Sequence, residues 1–274
     1  MKRKIKVLIS FALVMTTLFL TSVMSFAANE YPSAYYPKNH LDFKDVNKND
    51  WYYDAVNYVS NGYMYGYGGA REGLFGPADH LQRQDMAVVL YRYSFFTDAS
   101  ALPRSYGKNT KPSSLYFGPT AYNKEILPWV MRKGQFVDVA NNAYYSEAVN
   151  VLRYKGIVSG YNNGRFGVGD KITREQFITM IYRFEGQPGW GGNFTNKEFE
   201  SFYKFEDSNM VSKFAKDAMV WGINAGIISG KRNLLSGGWK THLAPQDYLS
   251  RAEAATILMR LDWYHKYALA PGVG

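Results

Sequence analysis

Three arginines carry the first chemical signal of this chain, because each follows an aspartate by four residues: Asp79 and Arg83, Asp170 and Arg174, Asp247 and Arg251. A branched aliphatic separates the members of each pair: Leu81, Ile172, Leu249. An arginine opening a helix offers a forked donor beside unpaired backbone N–H groups, and both suit a carboxylate or a phosphate. The same arginine can instead pair with its own aspartate. Asp79, Asp170 and Asp247 either accept ligand hydroxyls or satisfy loop amides. Trp51 and Tyr144, with Phe214 at a comparable place, are either flat apolar surfaces for a pyranose ring or core side chains. Gly62, Gly156 and Gly226 either let a sugar approach the backbone or simply end a helix.

Other chemistry fits poorly. Asp45-x-Asn47-x-Asn49 imitates the start of a calcium loop, but Asp50 holds the glycine position and Val56 the twelfth. Gly66-Tyr67-Gly68-Gly69 lacks the third glycine of a nucleotide-binding turn. His40, His80, His242 and His265 are scattered without ligand spacing. The absence of cysteine excludes disulfides, thiolate metal sites and a cysteine nucleophile. No cofactor is expected, and neither is catalysis. A hydrolase needs one acid and one base in different environments, whereas these carboxylates recur once per repeat.

The elements that position these residues come in three copies, from Phe43 to Arg92, Phe136 to Arg183 and Phe205 to Arg260. Each begins Phe-x-Asp, and ten or eleven residues after the aspartate comes Ala55, Ala148 or Ala218, within a first helix. Ala148, Val149 and Leu152 share one face of that helix. Glycines spaced by four then stop it: Gly62 and Gly66, Gly156 and Gly160, Gly226 and Gly230. A second helix starts at the arginine. Thr173 with Gln176 and Ser250 with Glu253 have capping-box spacing, while Gln82 and Asp85 make a weaker cap. Its apolar stripe is Met86, Ala87 and Leu90, then Phe177, Ile178 and Ile181, then Ala254, Ala255 and Leu258.

Residues 1–27 are predicted to be a signal peptide, with Lys2, Arg3, Lys4 and Lys6 ahead of an apolar run and Ser25-Phe26-Ala27 at the cleavage site. An uncleaved anchor is the alternative. No later run is long enough to span a membrane. Cleavage removes four basic residues, taking the formal charge from +9 to +5. A basic exported chain favours an acidic wall polymer over nucleic acid. The predicted boundaries are 43–93, 136–184 and 205–262 for the repeats, 94–135 for an insertion and 185–204 for a linker. Pro103, Pro112, Pro119 and Pro128 mark the insertion.

The Phe-x-Asp-Val start, the Gly-Ile or Gly-Tyr turn and the Ile-Thr-Arg helix start together resemble the S-layer homology domain. The resemblance implies an all-α fold of three helical-hairpin modules in a pseudo-threefold arrangement. It further implies grooves between modules for a secondary cell-wall polysaccharide, often bearing ketal-linked pyruvate, and so a secreted protein held at the cell wall or surface layer. The family's Thr-Arg-Ala-Glu signature stands here as Gln82-Arg83-Gln84-Asp85, Thr173-Arg174-Glu175-Gln176 and Ser250-Arg251-Ala252-Glu253. The differing neighbours make three equal grooves unexpected. A lattice or adhesion protein that self-associates through its aromatic insertions is the other reading.

Overall fold

In a computed structural model of the chain, the described residues are 43–60, 62–96, 136–188, 194–232 and 241–268, all within one compact unit, Asn39–Gly274. The predicted signal segment 1–27 lies outside them, as does the predicted insertion beyond Phe96. Seven helices are described: α1 (Tyr53–Ser60), α2 (Arg83–Phe96), α3 (Ser146–Tyr154), α4 (Arg174–Phe184), α5 (Asn196–Tyr203), α6 (Lys216–Asn224) and α7 (Arg251–Trp263). Strand is confined, among the described residues, to the antiparallel pair β1 (Lys231–Arg232) and β2 (Thr241–His242). The all-α expectation stands. No described helix is long and apolar enough to cross a membrane.

The predicted helix faces are the buried ones. Val149, Leu152, Met86, Ala87, Leu90, Phe177, Ile181, Ala254, Ala255 and Leu258 have no exposed surface, and Ala55, Ala148, Ala218 and Ile178 almost none. Both expected capping boxes form, each with the N-cap hydroxyl accepting from the N3 amide and the N3 side chain accepting from the N-cap amide. A third, Thr195 with Glu198, starts α5 inside the stretch read as a linker. Residues 185–204 are therefore partly helical. α5 packs on α6.

The hairpin expectation needs one revision. The closely packed pairs are α2 with α3, α4 with α6, and α7 with α1, so each repeat's second helix packs on the first helix of the next repeat. The last repeat returns to the first. Each apolar stripe is thus covered by a neighbouring repeat rather than by its own.

At the centre of the arrangement the backbone closes on itself. Leu81 N–H donates to Leu249 C=O at 2.9 Å, Leu249 N–H to Ile172 C=O at 3.0 Å, and Ile172 N–H to Leu81 C=O at 2.9 Å. The side chains of all three are buried, so an amide lost from this ring would have no water to replace its partner. A second cycle surrounds the first: Arg83 N–H donates to Asp170 C=O, Arg174 N–H to Asp247 C=O and Arg251 N–H to Asp79 C=O, at 2.9 to 3.0 Å.

Each loop is held by the aspartate of the Phe-x-Asp start. Asp45 accepts from the amides of Phe75 and Gly76, Asp138 from Phe166, Gly167 and Val168, and Asp207 from Leu243 and Ala244, all at 2.7 to 2.9 Å. Burial alone would raise the pKa of Asp138; the three amides outweigh it and hold the carboxyl below its ordinary value. The glycines serve two different ends. Gly156 (φ +73°) and Gly226 (φ +69°) take the left-handed residue of a Schellman stop, with Ile157 N–H reaching Leu152 C=O and Ile227 N–H reaching Gly222 C=O. Gly62, read as their equivalent, donates its N–H to Val59 C=O at 3.2 Å. Gly160 is needed for space, because a Cβ there would stand 2.4 Å from both the Arg165 carbonyl oxygen and the Phe136 ring.

This difference is measurable. Gly156→Ala meets no atom within 4 Å and should cost only the left-handed penalty, about 1–2 kcal/mol. Gly160→Ala should lower the melting temperature at least about twice as far, since backbone must move. Equal losses would contradict the packing described.

Candidate functional site

The three arginines open α2, α4 and α7, and their guanidinium groups turn inward across the junctions between repeats. Arg83 Nε donates to Phe166 C=O at 3.0 Å and Nη2 to Ser159 C=O at 3.1 Å. Arg174 makes the same pair with Leu243 C=O (3.0 Å) and Ser229 C=O (3.1 Å). Arg251 closes the cycle on Phe75 C=O (2.8 Å) and Tyr65 C=O (2.7 Å). They are 4, 6 and 7% exposed.

The residue each Nε grasps is the one whose amide the Phe-x-Asp aspartate holds: Phe166, Leu243 and Phe75. One peptide unit in every repeat is thus gripped on its N–H by its own aspartate and near its C=O by the preceding repeat's arginine. Burial lowers the pKa of each guanidinium, but arginine keeps its charge throughout the accessible range. Two of five N–H donors are spent on the backbone, and at Arg83 and Arg174 Nη1 turns toward the next repeat's helix start. Arg83 Nη1 lies 3.4 Å from Gln176 Oε1, and Arg174 Nη1 lies 3.7 Å from Glu253 Oε1.

The surroundings of the three arginines differ. Arg83 lies 5.0 Å over the rings of Tyr161 and Phe166, and Arg251 lies 4.7 and 4.8 Å over Tyr67 and Phe75. At Arg174 the corresponding positions are Lys231 and Leu243. Lys231 Nζ bridges Asp247 Oδ2 (3.1 Å) and Glu253 Oε1 (3.0 Å), so this junction carries two cations and two carboxylates in mutual contact.

The paired aspartates accept from side chains among the described residues. Asp79 accepts from the Tyr67 hydroxyl at 2.9 Å and from Arg71, whose hydrogen bond is the main reason its pKa lies below the ordinary value. Asp170 takes the hydroxyl of Tyr161, and Asp247 takes Lys231. The amide-holding role belongs to Asp45, Asp138 and Asp207, which sequence reasoning used only as landmarks; their alignment with three glycine-rich loops was the available signal.

The aromatics resolve toward solvent. Trp51 is 67% exposed, Tyr144 69% and Phe214 55%. The Tyr144 hydroxyl donates to Asp85 on the first turn of α2, which places this ring at the rim of the Arg83 junction. A cavity of about 370 Å³ is lined by Phe136, Arg153, Gly160 and by Ser159 and Tyr161, both of which Arg83 contacts. At the Arg174 junction, Glu175 is closed in by the Ser212 amide and hydroxyl and by Gln246.

A family model, the S-layer homology domain, matches residues 42–87 and 135–178. The chain is similar to an endoglucanase of Bacillus sp. (strain KSM-635), 24% identical over 95% of this chain and 22% of that protein. It is similar to an S-layer protein of Bacillus licheniformis, 27% identical over 82% of this chain and 20% of that protein. A cell surface protein of Thermoanaerobacter kivui is 26% identical over 48% of this chain and 16% of its own length. The chain therefore spans about a fifth of these relatives.

The double grip can be tested directly. Arg83→Lys, Arg174→Lys and Arg251→Lys keep the charge but cannot fork to two carbonyls, so each should lose one charge-assisted hydrogen bond, about 1.5–3 kcal/mol. The melting temperature should fall on the order of 3–12 °C in each variant. Lysine variants as stable as the parent chain would show that the carbonyl contacts hold nothing.

Proposed function

We propose that this chain, which carries S-layer homology domains at residues 42–87 and 135–178, attaches non-covalently to the bacterial cell wall by binding an anionic secondary cell-wall polysaccharide. In this reading residues 205–262 are a third module, the three modules stand in a pseudo-threefold arrangement, and a ketal-linked pyruvate supplies the acidic group. The observation that carries it is the cyclic recurrence of one junction, with a helix-opening arginine and an aspartate beside it at each step. The likeness to an S-layer protein and to a cell surface protein supports a place outside the cell. Catalysis is no part of the role.

Arg83, Arg174 and Arg251 meet the carboxylate with the donors left after backbone binding, Asp79, Asp170 and Asp247 take sugar hydroxyls at the rim, and Trp51 and Tyr144 give apolar faces. Gly156 and Gly226 shape the loops, as does Gly62. The grooves are unequal. Arg83 faces neutral Gln176, while Arg174 faces Glu253, itself bridged to Lys231. An acidic ligand entering the second junction displaces an existing ion pair; at the first it displaces none that involves position 176. The Arg83 groove is therefore the better anion site of the two.

Purified residues 28–274 should sediment with native wall sacculi and fail to sediment after acid extraction has stripped the secondary polymer. Retention on stripped sacculi would point to peptidoglycan and refute the reading. Gln176→Glu places a carboxylate where Arg83 points and keeps a good N3 residue for the Thr173 cap. It should weaken binding to native sacculi several-fold, about 1 kcal/mol, with no loss of melting temperature. Unchanged binding would remove Arg83 from the site.

A further inference from the structure

The far ends of the second helices meet at one imidazole. α7 runs on into a π-helical turn, Tyr264–Ala268, and His265 within it is 7% exposed. Its Nε2 stands 2.7 Å from Glu185 Oε2 at the C-cap of α4, and its Nδ1 stands 3.2 Å from the Tyr93 hydroxyl on α2. That hydroxyl lies 2.6 Å from Asp262 Oδ1 on α7, and the Tyr63 hydroxyl, from the loop after α1, donates to Asp262 Oδ2 at 3.3 Å. One network thus joins all three repeats, at the opposite ends of the helices that the arginines open.

The partners decide where the protons are. Tyr93 has one hydrogen, and its shortest contact commits it to the Asp262 carboxylate, so toward His265 its oxygen can only accept. The Glu185 carboxylate can only accept as well. Both ring nitrogens must then donate, which makes the ring an imidazolium.

We propose that His265 is a pH-operated latch: as a doubly donating imidazolium it fastens the ends of the second helices together, and loss of its proton releases the C-terminal turn. A neutral ring has one N–H. It must abandon either Tyr93 or Glu185, and Glu185, whose side chain is 6% exposed, then lies buried without its donor. The groups facing His265 are Glu185, Asp262, Tyr93, Tyr63 and the ring of Tyr264, while its neighbour Lys266 donates to Tyr58. Burial, then the charge of Asp262, raise Tyr63 and Tyr93 well above their ordinary value, so neither hydroxyl titrates in the working range. At His265 burial opposes the proton, but the hydrogen bond and charge of Glu185 and the charge of Asp262 outweigh it and raise the pKa above its ordinary 6.5. The sign follows: the latch stabilises fully below the unfolded-state value and is lost as pH rises through the raised native value.

The test uses the full exported chain. Between about pH 6 and about pH 9 the parent melting temperature should fall about 2 to 4 °C further than that of Glu185→Gln or His265→Gln. Ring-carbon-labelled histidine spectra of the parent, which need no variant to fold, provide the second reading. One histidine should titrate above 6.5, and Glu185→Gln should lower that pKa. Parallel melting curves, or no histidine titrating above 6.5, would overturn the latch.

Discussion

Everything in this molecule depends on a closed ring of three backbone hydrogen bonds among Leu81, Ile172 and Leu249. A ring cannot be two-thirds formed. Each amide is paid for by a carbonyl from a different repeat, so no repeat satisfies its own central residue. The same rule governs the helices, where each second helix covers its apolar stripe with the first helix of the following repeat and α7 closes on α1. Cooperativity between the repeats is therefore a matter of bonding pattern rather than of contact area alone.

The arginines extend that constraint outward. Their Nε and Nη2 atoms hold carbonyls of the next repeat, and the peptide units grasped are the ones that Asp45, Asp138 and Asp207 fix by the amide. In the proposed reading such an arginine is preorganised, since its direction is set before any ligand arrives. It also means that the site and the fold cannot be separated by deleting the arginine. Differences in affinity between junctions must come from the neighbours, such as Gln176 against Glu253, or Tyr67 and Tyr161 against Lys231.

Much of this was legible in the sequence, for a physical reason. Helix stripes such as Phe177, Ile178 and Ile181 and capping boxes such as Ser250 with Glu253 are local patterns, and they lie where periodicity and spacing put them. The inward turn of the arginines was not legible, because an arginine in the first turn of a helix serves a ligand or a distant carbonyl with the same local sequence. Nor was the partner of each stripe, since covering by the next repeat and by the same repeat demand the same apolar residues. The exposure of Trp51, Tyr144 and Phe214 was not legible either, since an aromatic ahead of a helix serves core or surface with the same local sequence. α5 was missed although Thr195 and Glu198 carry the capping signal; the glycines before it drew the whole stretch toward a loop. His265 looked like one of four scattered histidines, because its partners lie 80 and 172 residues away in sequence.

Native-state hydrogen exchange at the amides of Leu81, Ile172 and Leu249 tests the closed ring most directly. If the ring is the shared constraint, the three amides open together, and their exchange reports one free energy equal to that of global unfolding. An amide among them that exchanges about tenfold faster than the other two, through a local opening, would contradict the account.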